Sequence, residues 1–357
     1  MIVKNERPVI ERCLNSVKDI IDYWVIVDTG STDGTQEVIR ECLKKIPGEL
    51  HERPWVNFAH NRNEALHLAQ NRSDYLLLID ADEVWHPLTE QTRPADLNKD
   101  AYYLRLKREP ESKRIFLIRN APIWRWKGVL HEQLLSFRPI ETGTLSSFIV
   151  ISDTFDGNRS KDPQKWLKDA EILEKGLQEE PNNLDYLFYL AQSYANAKEY
   201  SKALKYYEER ASKGGEPELV FWSLYVAAKL KELLGHNEEE LFKAYNLAYK
   251  SRPFRREPLY HLARRAFLQK NFLTAYLLAK EGIQLPYPEK EFGYVEKWIY
   301  EYGMLVEFAN AAFQLGKIEE AKEAWRHLLQ APTSPDKLKQ EVEKLLLLDD
   351  QVLKKAK

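Results

Sequence analysis

The sequence predicts a mainly parallel α/β domain followed by an all-α array of helix pairs. Up to about residue 155, short apolar runs of strand length alternate with segments of helical periodicity, as in a parallel sheet wrapped by helices. A stretch rich in Ser, Asp, Gly, Asn and Pro then spans residues 149–165, and the periodicity beyond it is purely helical. We therefore place an α/β domain at residues 1–155 and a helical domain at residues 160–357.

Length and composition fit a two-domain globular protein. The chain has 357 residues, of which 44% are hydrophobic, enough for two cores. Its 53 basic and 55 acidic residues create no net field that demands nucleic acid or an anionic membrane as partner. Two cysteines exclude a disulfide scaffold, and no apolar run approaches the roughly 20 residues of a membrane span. We expect a cytoplasmic protein.

An early strand leads into a loop rich in glycine and polar residues. Residues 24–27 form an apolar run between helices predicted for residues 6–21 and 36–45. The loop at residues 28–35 is dense in Asp, Thr, Gly and Ser, which tolerate unusual backbone angles and cap helices. Such a loop either contacts a ligand or is a plain strand-to-helix turn.

A second strand ends at two acidic residues. The apolar residues 75–79 run directly into Asp80, Ala81 and Asp82. Because residues i and i+2 of a strand share a face, we expect Asp80 and Asp82 to point into one crevice at the carboxyl end of the sheet. Two carboxylates there suit a divalent cation that holds a diphosphate. The alternative is that both acids only cap backbone donors.

Arg62 stands near the predicted start of a helix. The segment at residues 55–66 has the pattern of a loop entering a helix whose first turn contains Arg62 and Asn63. A cation at that end is poorly placed for the helix dipole. An anionic ligand would explain it, and a surface arginine beside a carboxylate is the ordinary alternative.

Five segments together resemble family 2 glycosyltransferases of the GT-A fold, whose sheet is Rossmann-like and mainly parallel. They occur in the family's order and are residues 2–6, 27–35, 62–63, 80–82 and 126–132. The whole chain is similar to bacterial family 2 enzymes fused to tetratricopeptide repeats. That group includes peptide S-glycosyltransferases and sugar transferases of the lipopolysaccharide-core type.

The resemblance implies roles for the matching residues. Asp28 would contact the nucleotide base, Arg62 would support the nucleotide, and Asp80 would touch the ribose or a metal-bound water. Asn5 belongs to the same donor-binding set. Asp82 would ligate Mn²⁺ or Mg²⁺ on the diphosphate, so the resemblance implies a metal-dependent enzyme.

The first segment departs from the family pattern. Family members carry several strand residues ahead of it, whereas this sequence starts at Met1 within it. A strand of three or four residues is short for a central position, where about 5 or 6 are usual. We therefore expect that in-frame upstream residues, where a gene encodes them, raise the melting temperature and the donor affinity.

His131 and Glu132 follow an apolar, glycine-containing segment. Inverting transfer needs a general base that deprotonates the acceptor, and charge stabilisation of the departing diphosphate. Neighbours in an extended segment face opposite ways, so we expect His131 to bind the metal and Glu132 to act as catalytic base. Glu83 and Asp153 are the next candidates for the base. The alternative is a buried histidine bonded to backbone beside a surface glutamate.

Beyond residue 180 the sequence has a period of about 34 residues, the tetratricopeptide length, with small and aromatic residues at the expected sites. Helix pairs are predicted at residues 181–214, 219–249, 258–283 and 302–329. Residues 162–180 are expected to pack ahead of them and residues 338–357 to close the stack. Stacked pairs form an extended surface, so we expect this domain to dock the acceptor or to mediate homo-oligomerisation.

The resulting hypothesis is an inverting glycosyltransferase that uses a nucleotide sugar, with a UDP-sugar as the family default, and a protein, peptide or glycan acceptor. The competing hypothesis is an interaction scaffold with a degenerate nucleotide-sugar-binding domain. The full acidic set favours the enzyme, because a scaffold has no need of it. A nucleotidyltransferase is disfavoured because no Gly-rich, Lys/Arg-bearing pyrophosphate loop follows the first strand. The sequence does not name the sugar, the base or the acceptor.

Overall fold

The computed structural model describes residues 1–107, 112–152, 156–289 and 294–355. The chain forms two compact units, Met1–Asn182 and Asn183–Lys357. Residues 160–182, which we assign to the helical domain from sequence, lie in the first unit. Asp153, a candidate base, lies outside the described residues.

The first unit alternates strands and helices along its N-terminal half. Its strands are Ile2–Val3 (β1), Trp24–Asp28 (β2), Gly48–Glu52 (β3), Tyr75–Leu77 (β4), Val84–Pro87 (β5), Ala101–Lys107 (β6), Ser112–Arg119 (β7), Trp124–Lys127 (β8), Gln133–Ser136 (β9) and Thr142–Ile151 (β10). Its α-helices are Arg7–Val17 (α1), Thr35–Cys42 (α2), Phe58–Leu68 (α3) and Lys165–Glu179 (α4).

The strands pair into parallel and mixed sheets. One sheet has the order β1-β2-β3 and is parallel throughout. The other has the order β4-β7-β6-β10-β5, in which only β6 and β10 pair in parallel among the described strands. Strands β8 and β9 form an antiparallel hairpin. The predicted α/β class is confirmed, but the described pairing is mixed rather than mainly parallel, because the five-stranded sheet and the hairpin are built mostly from antiparallel pairs.

Helix α1 packs its apolar face into two cores. Val9, Ile10 and Leu14 belong to the core beside the three-stranded sheet. Cys13 and Val17 belong to the core of the five-stranded sheet. All five side chains are buried, and their spacing over three turns forms one broad stripe of the helix. Helix α1 therefore fixes the two sheets, and the loops at their ends, relative to each other.

A cavity opens between β2 and β4. Its volume is about 440 Å³, and its lining includes Val25, Leu76, Arg62 and Trp126. Strand β1 contributes only two residues and pairs with the carboxyl half of β2. The cavity therefore reaches Arg62, one of the candidate site residues.

The second unit consists of helices arranged in antiparallel pairs. They are Leu184–Asn196 (α5), Tyr200–Ser212 (α6), Pro217–Leu233 (α7), Glu238–Ser251 (α8), Glu257–Leu268 (α9), Phe272–Gln284 (α10), Met304–Gln314 (α11), Ile318–Gln330 (α12) and Asp336–Lys355 (α13). A π-helical turn, Ile299–Gly303, leads into α11. The predicted solenoid of helix pairs is confirmed.

Capping residues and small side chains explain the regular spacing of these helices. The side chains of Asn183, Asn237 and Asn271 accept hydrogen bonds from backbone N–H groups in the first turns of α5, α8 and α10. Fully buried alanines such as Ala228 and Ala263 let neighbouring helices approach closely. Across the described part of the chain, no helix is both long and apolar enough to cross a membrane.

Candidate functional site

The loop after β2 is organised around the Asp28 carboxylate. Asp28 is fully buried at the end of β2, and its Oδ1 accepts hydrogen bonds from the backbone N–H groups of Gly30 (2.8 Å) and Ser31 (2.7 Å). Gly30 and Gly34 have φ of 104° and 90°, which favour glycine. Asp28 Oδ2 is buried without a hydrogen-bond partner among the described residues. A buried carboxylate oxygen in this state gains from a donor.

Asn5 ties the start of the chain to the same loop. Its side-chain Oδ1 accepts a hydrogen bond from the Thr32 N–H at 2.8 Å, and its own N–H donates to Ser31 Oγ at 2.8 Å. Asn5 has φ of 56°, a left-handed conformation that asparagine tolerates better than most residues. Asn5 therefore orders the loop that also contains Asp28.

The acidic motif forms a turn rather than the end of a strand. Strand β4 stops at Leu77, so the prediction of a strand through residue 79 is wrong. The Glu83 N–H donates to the Asp80 carbonyl at 3.1 Å, and the Asp80 N–H donates to Glu83 Oε2 at 2.9 Å. These reciprocal bonds close residues 80–83 into a turn. The expectation that Asp80 and Asp82 share one strand face therefore does not apply.

Arg62 connects the acidic turn to the segment after β8. Its Nη2 lies 2.8 Å from Asp80 Oδ1 and its Nε lies 2.5 Å from Glu132 Oε1. The guanidinium also lies over the Trp126 ring, 5.1 Å from its centroid. The Arg62 side chain is only 16% exposed. Although burial opposes the charged form, the two carboxylates outweigh it and raise the pKa of Arg62.

The position of Arg62 in its helix differs from the prediction. Helix α3 begins at Phe58 after the N-cap Asn57, so Arg62 lies in the second turn and not in the first. The helix-dipole argument for an anionic ligand is therefore wrong, because that effect fades within the first turn. Carboxylate pairing, the ordinary alternative, accounts for the arginine. Asn63 bonds the backbone of Trp126 in both directions, at 2.8 and 2.9 Å, and so holds β8 against α3.

His131 and Glu132 lie in a bend, not in an extended segment. Gly128 and His131 both have positive φ, 116° and 53°, so the expectation of alternating faces is wrong. Glu132 points to Arg62, and its side chain is 10% exposed. The pKa of His131 is lowered by partial burial and then by the positive charges of Arg159 and Lys165. The lowered pKa favours the neutral imidazole, which is the form of histidine that can ligate a metal.

Asp82 has the features of a carboxylate that gains from a cation. Its pKa is raised, first by burial and then by the negative charge of Asp80. A Cβ on Gly157 would stand 3.0 Å from Asp82 Oδ2, so glycine leaves room beside the carboxylate. Within the described ranges, no group of three or more His, Cys, Asp or Glu side chains is arranged to hold a metal ion. A single carboxylate with phosphate oxygens is nonetheless a fitting donor set for Mg²⁺ or Mn²⁺.

Two further acids lie at the site: Glu83, a further candidate for the base from sequence, and Glu6, which was not predicted as a site residue. Glu83 is buried, its Oε2 lies 2.8 Å from Arg114 Nη2, and burial followed by the charge of Asp80 raises its pKa to about 7. Burial likewise raises the pKa of Glu6 to about 7, with Asp82 among the neighbours that add to the shift. The sequence signal for Glu6 was its place next to Asn5 in a motif quoted for the family resemblance.

Comparison with known proteins gives one family match and several relatives. Residues 1–157 match the model described as Glycosyl transferase family 2. A TPR repeat-containing protein of Synechococcus elongatus is 34% identical over 140 residues, which are 37% of this chain and 34% of that relative. The SPbeta prophage-derived glycosyltransferase SunS of Bacillus subtilis is 35% identical over 86 residues, 24% of this chain and 19% of the relative. The chain thus spans about a third or less of the length of these relatives.

Solved structures resemble the helical part. The crystal structure of MamA superposes with a TM-score of 0.38 at 14% identity, over 49% of this chain and 92% of MamA. Residues 1–157 thus match the glycosyl transferase family 2 model, and the chain is similar to a relative named for its TPR repeats.

Proposed function

We propose that this chain is an inverting, metal-dependent glycosyltransferase that moves a sugar from a nucleotide-sugar donor, a UDP-sugar by family default, to a protein, peptide or glycan acceptor. The observation that carries the proposal is the ion-paired network in which Arg62 holds Asp80 and Glu132 together. Burying three charges lowers the stability of the fold unless the charges are well paired, so such a network is expected where it also serves a function. A non-catalytic scaffold has no need of such a network beside an acidic turn.

The donor nucleotide is assigned to the loop after β2. The buried Asp28 Oδ2 has no hydrogen-bond partner among the described residues, and an N–H of the nucleotide base would supply one. Asn5 holds the loop through its bond to the Thr32 N–H. Arg62 and Asp80 lie at the other end of the donor site in this proposal, with Arg62 orienting the Asp80 carboxylate toward the ribose.

The diphosphate is assigned to the space between Asp82 and His131. Asp82 would hold Mn²⁺ or Mg²⁺ together with phosphate oxygens, and the bound ion would neutralise charge on the leaving diphosphate. We retain His131 as the second protein contact to the ion or its diphosphate. Arg159 and Lys165, the cations that lower the pKa of His131, would add positive charge on the diphosphate side.

Glu132 is proposed as the general base. It would accept the proton of the acceptor while the acceptor atom bonds to the anomeric carbon, and the bond from that carbon to the diphosphate oxygen breaks. Arg62 fixes the carboxylate through Oε1, which leaves Oε2 for the acceptor. The repeat array would position the acceptor or a second copy of the chain, since stacked helix pairs offer an extended surface.

Calorimetry of nucleoside diphosphates separates the enzyme from the scaffold. The full-length protein is titrated with UDP, GDP and CDP, each with and without MnCl₂. We expect one diphosphate, UDP by family default, to bind, and Mn²⁺ to strengthen that binding. A folded protein that binds none of the three under either condition would contradict the proposed function.

A further inference from the structure

Within the second unit, a short piece of chain covers one face of the repeat array. Residues 294–296, which we call the covering segment, precede the π-helical turn that leads into α11. They contact α5, α7 and the start of α9, which are the first helices of three successive pairs, and Arg255 just before α9. The surface of these three helices under the covering segment is the covered face. Stacked repeats place equivalent helices side by side on one extended surface.

An aromatic pocket of the covered face holds Tyr294. Its ring lies 5.4 Å from the ring of Phe188 on α5 and 5.4 Å from that of Trp222 on α7. Its hydroxyl bonds to Tyr189, also on α5. A pocket of aromatic walls with a polar group at its end fits a tyrosine better than an aliphatic side chain.

A basic and hydroxyl-bearing pocket holds Glu296. Its Oε2 accepts a hydrogen bond from the Tyr225 hydroxyl at 2.7 Å. Its Oε1 forms an ion pair with Lys229. Trp222, Tyr225 and Lys229 are spaced i, i+3 and i+7 along α7, so one helix face provides both the aromatic and the basic contacts.

The covered face also contacts the backbone of the segment. Arg255 Nη2 donates to the Tyr294 carbonyl at 2.6 Å, and the Glu296 N–H lies 3.4 Å from Glu257 Oε1. Arg255 and Glu257 pair with each other at 2.6 Å, and both side chains are fully buried. Backbone contacts combined with pockets for alternate side chains are how proteins recognise extended peptides.

The chemistry of the covered face differs from that of a permanent core. Its floor contains a lysine, an arginine, a glutamate and two tyrosine hydroxyls, and the Tyr294 and Glu296 side chains above it keep part of their surface in solvent, 17% for Glu296. Apolar residues of similar volume would stabilise a fixed interface as well as or better than buried ion pairs do. Charged groups aimed at one acidic side chain and one carbonyl favour selective recognition instead.

We propose that the covered face is a binding site for an extended polypeptide that has an aromatic residue two positions before an acidic residue, and that residues 294–296 occupy it in cis. A partner polypeptide with this pattern binds by displacing the covering segment. The apparent affinity for the partner equals the intrinsic affinity multiplied by the fraction of molecules whose face is uncovered. The site is separate from the sugar-transfer chemistry and does not rest on it.

The test measures peptide binding in trans by fluorescence anisotropy. The probe is a labelled synthetic peptide, Gly-Ser-Gly-Tyr-Val-Glu-Gly-Ser, and the proteins are full-length wild type and the double variant Tyr294→Ala/Glu296→Gln. We expect the double variant to bind about tenfold or more tightly than wild type, because its own segment no longer competes. The same peptide with Ala for Tyr, or with Gln for Glu, should bind neither protein.

Two further variants make the result decisive. Glu289→Gln changes an exposed glutamate of the same connection, outside the covering segment, and should bind the probe as wild type does. The single variant Glu296→Gln keeps the Tyr294 contacts and should show an intermediate gain. Equal binding by wild type and both Glu296 variants, or loss of helical circular dichroism in both, would overturn the proposal.

Discussion

Arg62 donates to Asp80 and to Glu132 at once, at 2.8 Å through Nη2 and 2.5 Å through Nε. The two carboxylates come from segments that are distant in sequence, the turn after β4 and the bend after β8. One guanidinium with a fixed fork of donors sets the separation of both. The positions of the proposed donor contact and the proposed base therefore depend on a single side chain.

Replacing Arg62 by alanine should lower both stability and activity. Removing one partner of a buried ion pair leaves uncompensated charge, which costs about 3–5 kcal/mol. We expect a lower melting temperature and loss of sugar transfer. The control is Arg93→Ala, whose ion pair with Asp22 is exposed and should contribute about 1 kcal/mol or less. If Arg62→Ala transferred sugar at the wild-type rate, the ion-paired network would have no role in catalysis.

Glu132→Gln should separate binding from chemistry. Glutamine keeps the shape of the side chain and a hydrogen bond to Arg62 but cannot accept a proton from the acceptor. We expect transfer to fall by about 10² to 10⁴, with nucleoside diphosphate affinity nearly unchanged. Glu141→Gln, a change at an exposed glutamate paired with Lys99, serves as control. Normal turnover by Glu132→Gln would place the base elsewhere, with Glu83 the first described candidate.

Asp82→Asn should abolish the metal dependence of donor binding. A neutral amide is a weaker ligand than a carboxylate for Mg²⁺ or Mn²⁺. We expect Mn²⁺ to strengthen diphosphate binding in the wild type and to have no effect in the variant. Asp19→Asn, at an exposed position of the first unit, should behave as wild type. Full transfer activity of the wild-type protein in excess chelator would contradict this role.

Glu232 makes the stability of the repeat array depend on pH. Hydrogen bonding to His261, and then to Tyr245 with the charge of Arg265, lowers the pKa of Glu232 to about 2 from 4.5. The Glu232 carboxylate binds a proton less readily in the folded state than in the unfolded state. Its stabilisation of the fold is therefore present above about pH 4.5 and is lost as the pH falls toward 2. The melting-temperature difference between wild type and Glu232→Gln should be largest above pH 5 and vanish near pH 2.

A substitution at the exposed Glu239 is the control for that measurement. Glu239→Gln alters a side chain that is largely in solvent and paired with Lys243, and surface pairs of this kind contribute little. Its melting-temperature difference from wild type should stay small at every pH. A constant difference for Glu232→Gln between pH 6 and pH 2 would exclude the pKa shift as its cause.

Local sequence patterns predicted the helices and strands well, because the formation of these elements depends mainly on residues that are close in sequence. The apolar stripe of α1 and the small and aromatic period after residue 180 depend on residues within a few turns of each other. The helix pairs and the α/β order were therefore predictable. The same reasoning placed Asp28, Arg62, Asp80 and Glu132 in one unit, although it did not predict which of them would touch.

The errors come from backbone geometry that tertiary contacts impose. Leu78 and Ile79 continue the apolar run of β4, yet the strand ends at Leu77, and the Glu83 bonds to Asp80 close a turn directly after them. His131 adopts a positive φ that its residue type alone does not predict. The contact of Tyr294 and Glu296 with α5 and α7 has no periodic signal, because it joins residues far apart in the sequence.

Release of nucleoside diphosphate from nucleotide sugars tests the central claim most directly. The full-length protein is incubated with a panel of UDP-, GDP- and CDP-sugars and Mn²⁺, and free diphosphate is measured beside Glu132→Gln and Arg62→Ala. We predict that wild type hydrolyses or transfers from at least one donor, and that both variants lose this activity. Release by none of the donors from a folded protein, or equal release by all three proteins, would contradict a glycosyl transfer site built on Arg62.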